Sequence, residues 1–123
     1  MFGAVVMLVA LLWAMPAPVA AEPGTTYCAS MADSSSAAPG RFWLYVNCDT
    51  SSSRFTVKVV VRGPNDYRRV LYRGTPEQND AFIDRWVRVP KRGRYTVVIR
   101  DYDPGTSRIP EHRGVERFQI HVY

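Results

Sequence analysis

Between Phe55 and Arg62 the chain alternates without a break: Phe55, Val57, Val59 and Val61 fall on one side of an extended backbone, and Thr56, Lys58, Val60 and Arg62 on the other. That period of two belongs to a β-strand, whose successive Cβ atoms point to opposite faces. It recurs from Arg41 to Cys48, with Phe42, Leu44, Val46 and Cys48 on one face and Trp43, Tyr45 and Asn47 on the other. No stretch after residue 21 carries a helical repeat, so an all-β domain is predicted.

Turn chemistry cuts the rest into short pieces. Asp49-Thr50-Ser51-Ser52-Ser53 and Gly63-Pro64-Asn65-Asp66 bracket the cleanest strand, and Tyr67 to Arg73 follows as an arginine-rich strand suited to a sheet edge. A polar loop runs from Gly74 to Asp80. Ala81 to Val89 reads as a less regular strand with both faces partly covered, ended by Pro90. Gly93 turns the chain, Tyr95, Val97 and Ile99 then alternate with Thr96, Val98 and Arg100, and a last strand from Val115 to Tyr123 buries Phe118, Ile120 and Val122. A further strand around Thr25 to Ala29 is weakly marked. Six or seven strands with turn signals at roughly ten-residue spacing predict an antiparallel two-sheet sandwich.

The stretch Val89-Pro90-Lys91-Arg92-Gly93-Arg94-Tyr95-Thr96-Val97 resembles the passage of immunoglobulin-like and fibronectin-type domains where a strand ends, the chain turns, and a tyrosine opens the next core strand. The resemblance implies that the Tyr95 hydroxyl bonds back to upstream backbone. It carries no implication for activity, because that fold hosts many functions.

The first fifteen residues hold no charge, Phe2 to Met15 is almost wholly apolar, and Val19-Ala20-Ala21 supplies the small residues a signal peptidase accepts. An export signal over residues 1–21 is predicted, with the mature chain beginning at Glu22. The competing reading is an uncleaved membrane anchor, since about twenty apolar residues span a bilayer and shorter runs do so where it thins. The opening Met1-Phe2-Gly3 lacks the usual Lys or Arg, which leaves room for a start upstream. No cysteine stands where a lipoprotein signal needs one. The expected layout is the signal, an N-terminal segment 22–40 with a serine-rich loop, and a β-sandwich over 41–123, secreted or associated with the cell envelope and without a transmembrane span after cleavage.

Cys28 and Cys48 are the two cysteines of the chain. In an oxidising exterior they are expected to pair, closing a loop of about twenty residues worth roughly 3 kcal/mol. A redox-active role lacks the Cys-x-x-Cys spacing.

All sixteen Lys and Arg and all eleven Asp and Glu follow residue 21, so the formal charge of +5 stays with the exported part. The partners this favours are anionic: phosphate- or carboxylate-rich envelope polymers, anionic lipid surfaces, or acidic extracellular proteins. Arginines interleave with aromatics at Arg68, Arg69, Tyr72 and Arg73, joined by Trp86, Arg88, Arg92, Arg94 and Arg100. Such a face stacks and pairs with acidic glycans or nucleic acids, and export counts against the latter. The plainer reading is a solvated edge strand.

Sets that support catalysis are missing from the pattern. His112, read as a loop residue, and His121, on the last strand, have no nucleophile context such as Gly-x-Ser-x-Gly. Asp101, Asp103, Glu111 and Glu116 read as ordinary turn acids, although a glycosidase pair could be drawn from them. Asp101 and Asp103 before Pro104-Gly105 are half of a calcium loop, against the alternative of a plain turn. The terminal hairpin, with Gly-Arg-Tyr-Thr-Val, His112 and Gly114, also resembles the periplasmic copper-resistance sandwiches, which implies copper held by histidines, one at the mature N-terminus. Glu22 stands there instead, and Met31 is the one methionine left after cleavage. The expectation is therefore a secreted, non-enzymatic interaction module without a cofactor, binding an anionic polymer or a protein. The alternatives are an inhibitor that offers the loop Ser30 to Gly40 to an extracellular enzyme, and a calcium- or copper-binding domain.

Overall fold

The computed structural model describes residues 24–50, 52–77 and 81–123, so the expected export signal lies outside the described residues. Seven strands follow in order: β1 (Cys28–Asp33), β2 (Arg41–Cys48), β3 (Thr56–Arg62), β4 (Arg68–Gly74), β5 (Ala81–Arg88), β6 (Gly93–Asp103) and β7 (His112–Val122). They form two antiparallel sheets, ordered β1-β2-β5 and β4-β3-β6-β7. The all-β sandwich expected from the alternation is the architecture observed.

Between the sheets lies a core that the period-two reading anticipates. Phe42, Leu44, Val46 and Cys48 from β2 meet Val57, Val59 and Val61 from β3, all 2% exposed or less. Tyr95, Val97 and Ile99 of β6 join it, together with Phe55, with Ile83 and Val87 of β5, and with Val122 of β7. The hairpin from β3 to β4 turns on Asn65 and Asp66, both with positive φ, with the Tyr67 amide donating to the Pro64 carbonyl. Consecutive left-handed residues make the primed turn whose twist matches a hairpin, and Asn and Asp tolerate that conformation best after glycine.

Tyr95 is fully buried and its hydroxyl donates to the Lys91 carbonyl, as the resemblance implied. Its ring lies against Gly63, where a Cβ would sit 2.2 Å from the ring. Cys28 and Cys48 are bonded, and they oppose each other directly in the β1–β2 register. The bridge therefore stitches two neighbours of one sheet.

Three boundaries differ from those expected. β1 begins at Cys28 and runs to Asp33, so Ser30 to Asp33 belong to a strand and the loop shrinks to residues 34–40. That loop is tied down: the Ser34 hydroxyl donates to the His121 carbonyl and the Gly40 amide to the Tyr123 carbonyl. β6 continues through Asp101 to Asp103, and β7 starts at His112, which is thus a strand residue and not a loop residue. The extension pairs Asp101 with Gly114 and Asp103 with His112, an adhesion that polar residues do not advertise.

Candidate functional site

Register decides which side chains share the outer surface of the four-stranded sheet. Lys58 sits between Arg73 on β4 and Arg100 on β6, while Arg62 sits beside Arg68 and Thr96. Between these two rows of cations runs an apolar row, Val70, Val60 and Val98, continued by Arg117 on β7. Val60 and Val98 face outward yet are only 6% and 4% exposed. The aliphatic stems of the neighbouring lysine and arginines account for that cover, since such stems lie along apolar surface and keep their charge in water.

The crowding leaves an electrostatic mark on Lys58. Its ammonium is held below the ordinary lysine pKa, first by partial desolvation and then by the guanidinium groups of Arg73, Arg68, Arg100 and Arg62. Among the described residues the ion contacts are His112–Asp101 at 2.9 Å and Arg113–Glu111 at 2.7 Å. Neither touches β3 or β4. Among the described residues, no acid forms an ion contact with the cations around Lys58.

The six residues expected to form one basic, aromatic face are not brought together. Arg68 and Arg73 lie on the cationic surface, but Arg69 opposes the inward Val61 and its Nη1 donates to the Arg88 carbonyl at 3.5 Å. Tyr72 opposes the inward Val59 and packs on Phe82 at 4.5 Å between ring centres. Trp86 and Arg88 belong to β5 in the other sheet, where Trp86 pairs with Trp43 and Arg88 with Arg41. Adjacent arginines on a strand point opposite ways, and the two strands belong to different layers. Lys58 and Arg62, which complete the cationic surface, stood in plain view as the polar positions of the cleanest strand. What the sequence lacked was the neighbour relation of β4, β3 and β6.

The acids of β6, β7 and the segment between them each have a local task. Asp101, a buried carboxylate, uses Oδ1 for His112 Nε2 at 2.9 Å and accepts the Tyr27 amide on Oδ2 at 2.7 Å. The Tyr27 ring lies on the His112 ring, 3.6 Å between centres and 10° from parallel. Asp103 Oδ1 accepts the Gly105 amide at 2.9 Å. That bond, helped by Ser52 and the nearby Arg54 and His112, holds the Asp103 carboxyl below its usual pKa. Glu111 binds Arg113 and Tyr102, and Glu116 accepts from the Thr26 and Ser30 hydroxyls at 3.2 and 3.1 Å. Asp101 and Asp103 thus turn to different partners. His112 and His121 stand near opposite ends of β7, about 30 Å apart at the usual strand rise, too far to share an ion. Among the described residues no three of His, Cys, Asp and Glu gather closely enough to hold a metal.

No protein-family model, curated protein or solved structure matches this chain.

Proposed function

We propose that this protein is a secreted, non-catalytic interaction module of the immunoglobulin-like, fibronectin-type class, whose four-stranded face binds an anionic polymer of the cell envelope or its surroundings. The observation that carries this reading is the row of cations around Lys58, on a face where β3 and β4 offer no acid to offset them. Positive charge held together against its own repulsion is relieved by an anion, and a ladder of cations spread across neighbouring strands suits a chain of repeated phosphates, sulfates or carboxylates. The apolar N-terminal run, read as an export signal, and the disulfide, which forms and lasts in an oxidising compartment, support an extracytoplasmic setting. The strand order supports the fold class: relative to a constant immunoglobulin domain, the fourth strand sits beside the third, and the Tyr95–Lys91 bond makes the tyrosine corner.

The inhibitor reading draws less support, because the loop it needs is shortened by β1 and fastened to the end of β7. Binding to an acidic glycan such as heparin, and to a long-chain polyphosphate, tests the proposal. Replacing Arg62, Arg68 and Arg73 together by Ser is expected to abolish retention at moderate salt. It should also cut the slope of log affinity against log salt by about two to three. A control that replaces Arg69, Arg85 and Arg108 removes equal charge from elsewhere and is expected to retain most binding. Equal losses in the two triple variants would mean that net charge alone is felt, and the proposed face would be discarded.

A further inference from the structure

The outer surface of the three-stranded sheet is built from different material. Met31, Trp43, Tyr45 and Trp86 line a trough of about 560 Å³ together with Asp33 and Asp84. The register sets this pattern: Trp43 lies between Asp33 and Trp86, and Tyr45 between Met31 and Asp84. Trp86 and Met31 keep 39% and 68% of their surface open, large exposures for side chains of this kind.

The rings are held in place without a ligand. Trp43 and Trp86 meet edge to face, 5.4 Å between centres and 89° between planes. The Arg41 guanidinium lies 4.6 Å over the Trp86 ring, and Trp43 Nε1 donates to Asp84 Oδ1 at 2.9 Å. Fixing the rings beforehand removes much of the ordering cost that a binding event otherwise carries. The trough also falls in the size range of small-ligand sites, about 300–1,000 Å³.

We infer that this trough binds a neutral polysaccharide segment. The C–H faces of a sugar ring are apolar and pack on flat aromatic surface, while its hydroxyls are donors that carboxylates accept. Here the aromatic surface and the acceptors lie on one face. Asp84 Oδ2 has no protein partner among the described residues, and Asp33 is exposed. Both acids repel a polyanion, and the guanidinium against the rings, that of Arg41, is taken up by the face of Trp86, so this ligand differs in charge from the one proposed for the other face. A protein partner fits less well, because charged groups are depleted from the centres of protein interfaces and Asp33 and Asp84 stand within this one.

Titration with hydroxyethylcellulose, laminarin and mannan, followed by the indole N–H resonances of Trp43 and Trp86, tests the inference. At least one of the three is expected to shift both resonances, with an affinity that salt leaves unchanged. Trp86→Ala should weaken that binding at least about tenfold, as loss of a central aromatic anchor does. Should Trp86→Ala fail to fold, Met31→Ala and Asp33→Ala serve in its place and should each weaken binding severalfold. The triple Arg62, Arg68 and Arg73 to Ser variant should bind as the parent does, which keeps this result separate from the polyanion test. No shift with any of the three overturns the inference. So does binding that survives both Trp86→Ala and the smaller variants. A shift produced only by a basic, proline-rich peptide overturns it too, and assigns the trough to a protein.

Discussion

The two sheets of this sandwich share one core but turn opposite chemistry to solvent. On the four-stranded side the outward positions of β3 and β4 are Lys, Arg, Thr and Val. On the three-stranded side they are Trp, Tyr, Met and Asp, with the Arg41–Arg88 pair at one end. They are also secured by different means. The smaller sheet is stitched covalently through Cys28 and Cys48, whereas the larger relies on long ladders and on the buried Tyr95 at its corner. The difference teaches that a period-two sequence carries two independent messages: the inward residues specify the layers, and the outward ones are free to specify partners.

The sharpest way to separate the two modes of support is Cys28→Ser. Loss of a native bridge in a small disulfide-bonded domain costs about 2–5 kcal/mol, and denaturant unfolding should read that loss. Hydrogen exchange should rise first at β1, with β3 amides protected longer. Equal loosening of both sheets would break the distinction. Tyr95→Phe is the counterpart on the larger sheet. It leaves the Lys91 carbonyl without its donor, and unfolding stability should fall by about 1 kcal/mol or slightly more. A neutral result would remove the corner as a support.

Acid tests the turn beside the larger sheet. The Asp103 carboxyl is depressed below its ordinary 3.8 in the folded chain. Its contribution to stability is therefore complete above the unfolded value and is lost as pH falls through the depressed one. Asp103→Asn should flatten the stability–pH curve below about pH 4, leaving the region above pH 5 parallel to the parent. The smallest effect is expected at Lys58. Because its folded pKa is lowered, the protonated ammonium is disfavoured by folding at every pH below that value, and the penalty fades as pH rises toward the unfolded 10.5. Lys58→Gln should raise the melting temperature slightly at low salt, an advantage that added salt erases, while weakening retention by a polyanion.

Much of the fold was legible because burial and alternation agree. β2 alternates from buried to half-buried residue by residue, as its sequence does. The ends of β6 and β7 were not legible, because Asp101, Asp103 and His112 have the composition of a turn. Their pairing depends on Gly114, where a Cβ would come within 2.1 Å of Asp101 Oδ1. Nothing local announces that need. The candidate site was half legible for a related reason. Arg68 and Arg73 were named from their own strand, but their neighbours came from strands whose order in the sheet no single segment encodes. Trp43 and Tyr45 were assigned correctly to one face, yet only the β2–β5 register brings Trp86 beside Trp43.

The fastening of the N-terminal segment has a consequence in time. Tyr27 is held by Asp101, 74 positions later, and Thr26 by Glu116, 90 positions later. Gly24 exchanges backbone bonds with the chain on either side of Gly114. Residues made early are thus gripped by residues made 74 to 90 positions later. A ribosome or translocation pore delivering the chain in order supplies the grip only once β7 has emerged. Until then β1 has its ladder and its cysteine partner in β2, but Gly24, Thr26 and Tyr27 before it have no dock. Domains dominated by such distant pairings close in milliseconds to seconds, against microseconds for locally wired helical bundles. Because Cys28 and Cys48 already oppose each other in the β1–β2 ladder, the covalent stitch needs nothing from β7 and is free to precede the final closure of the larger sheet over Tyr27.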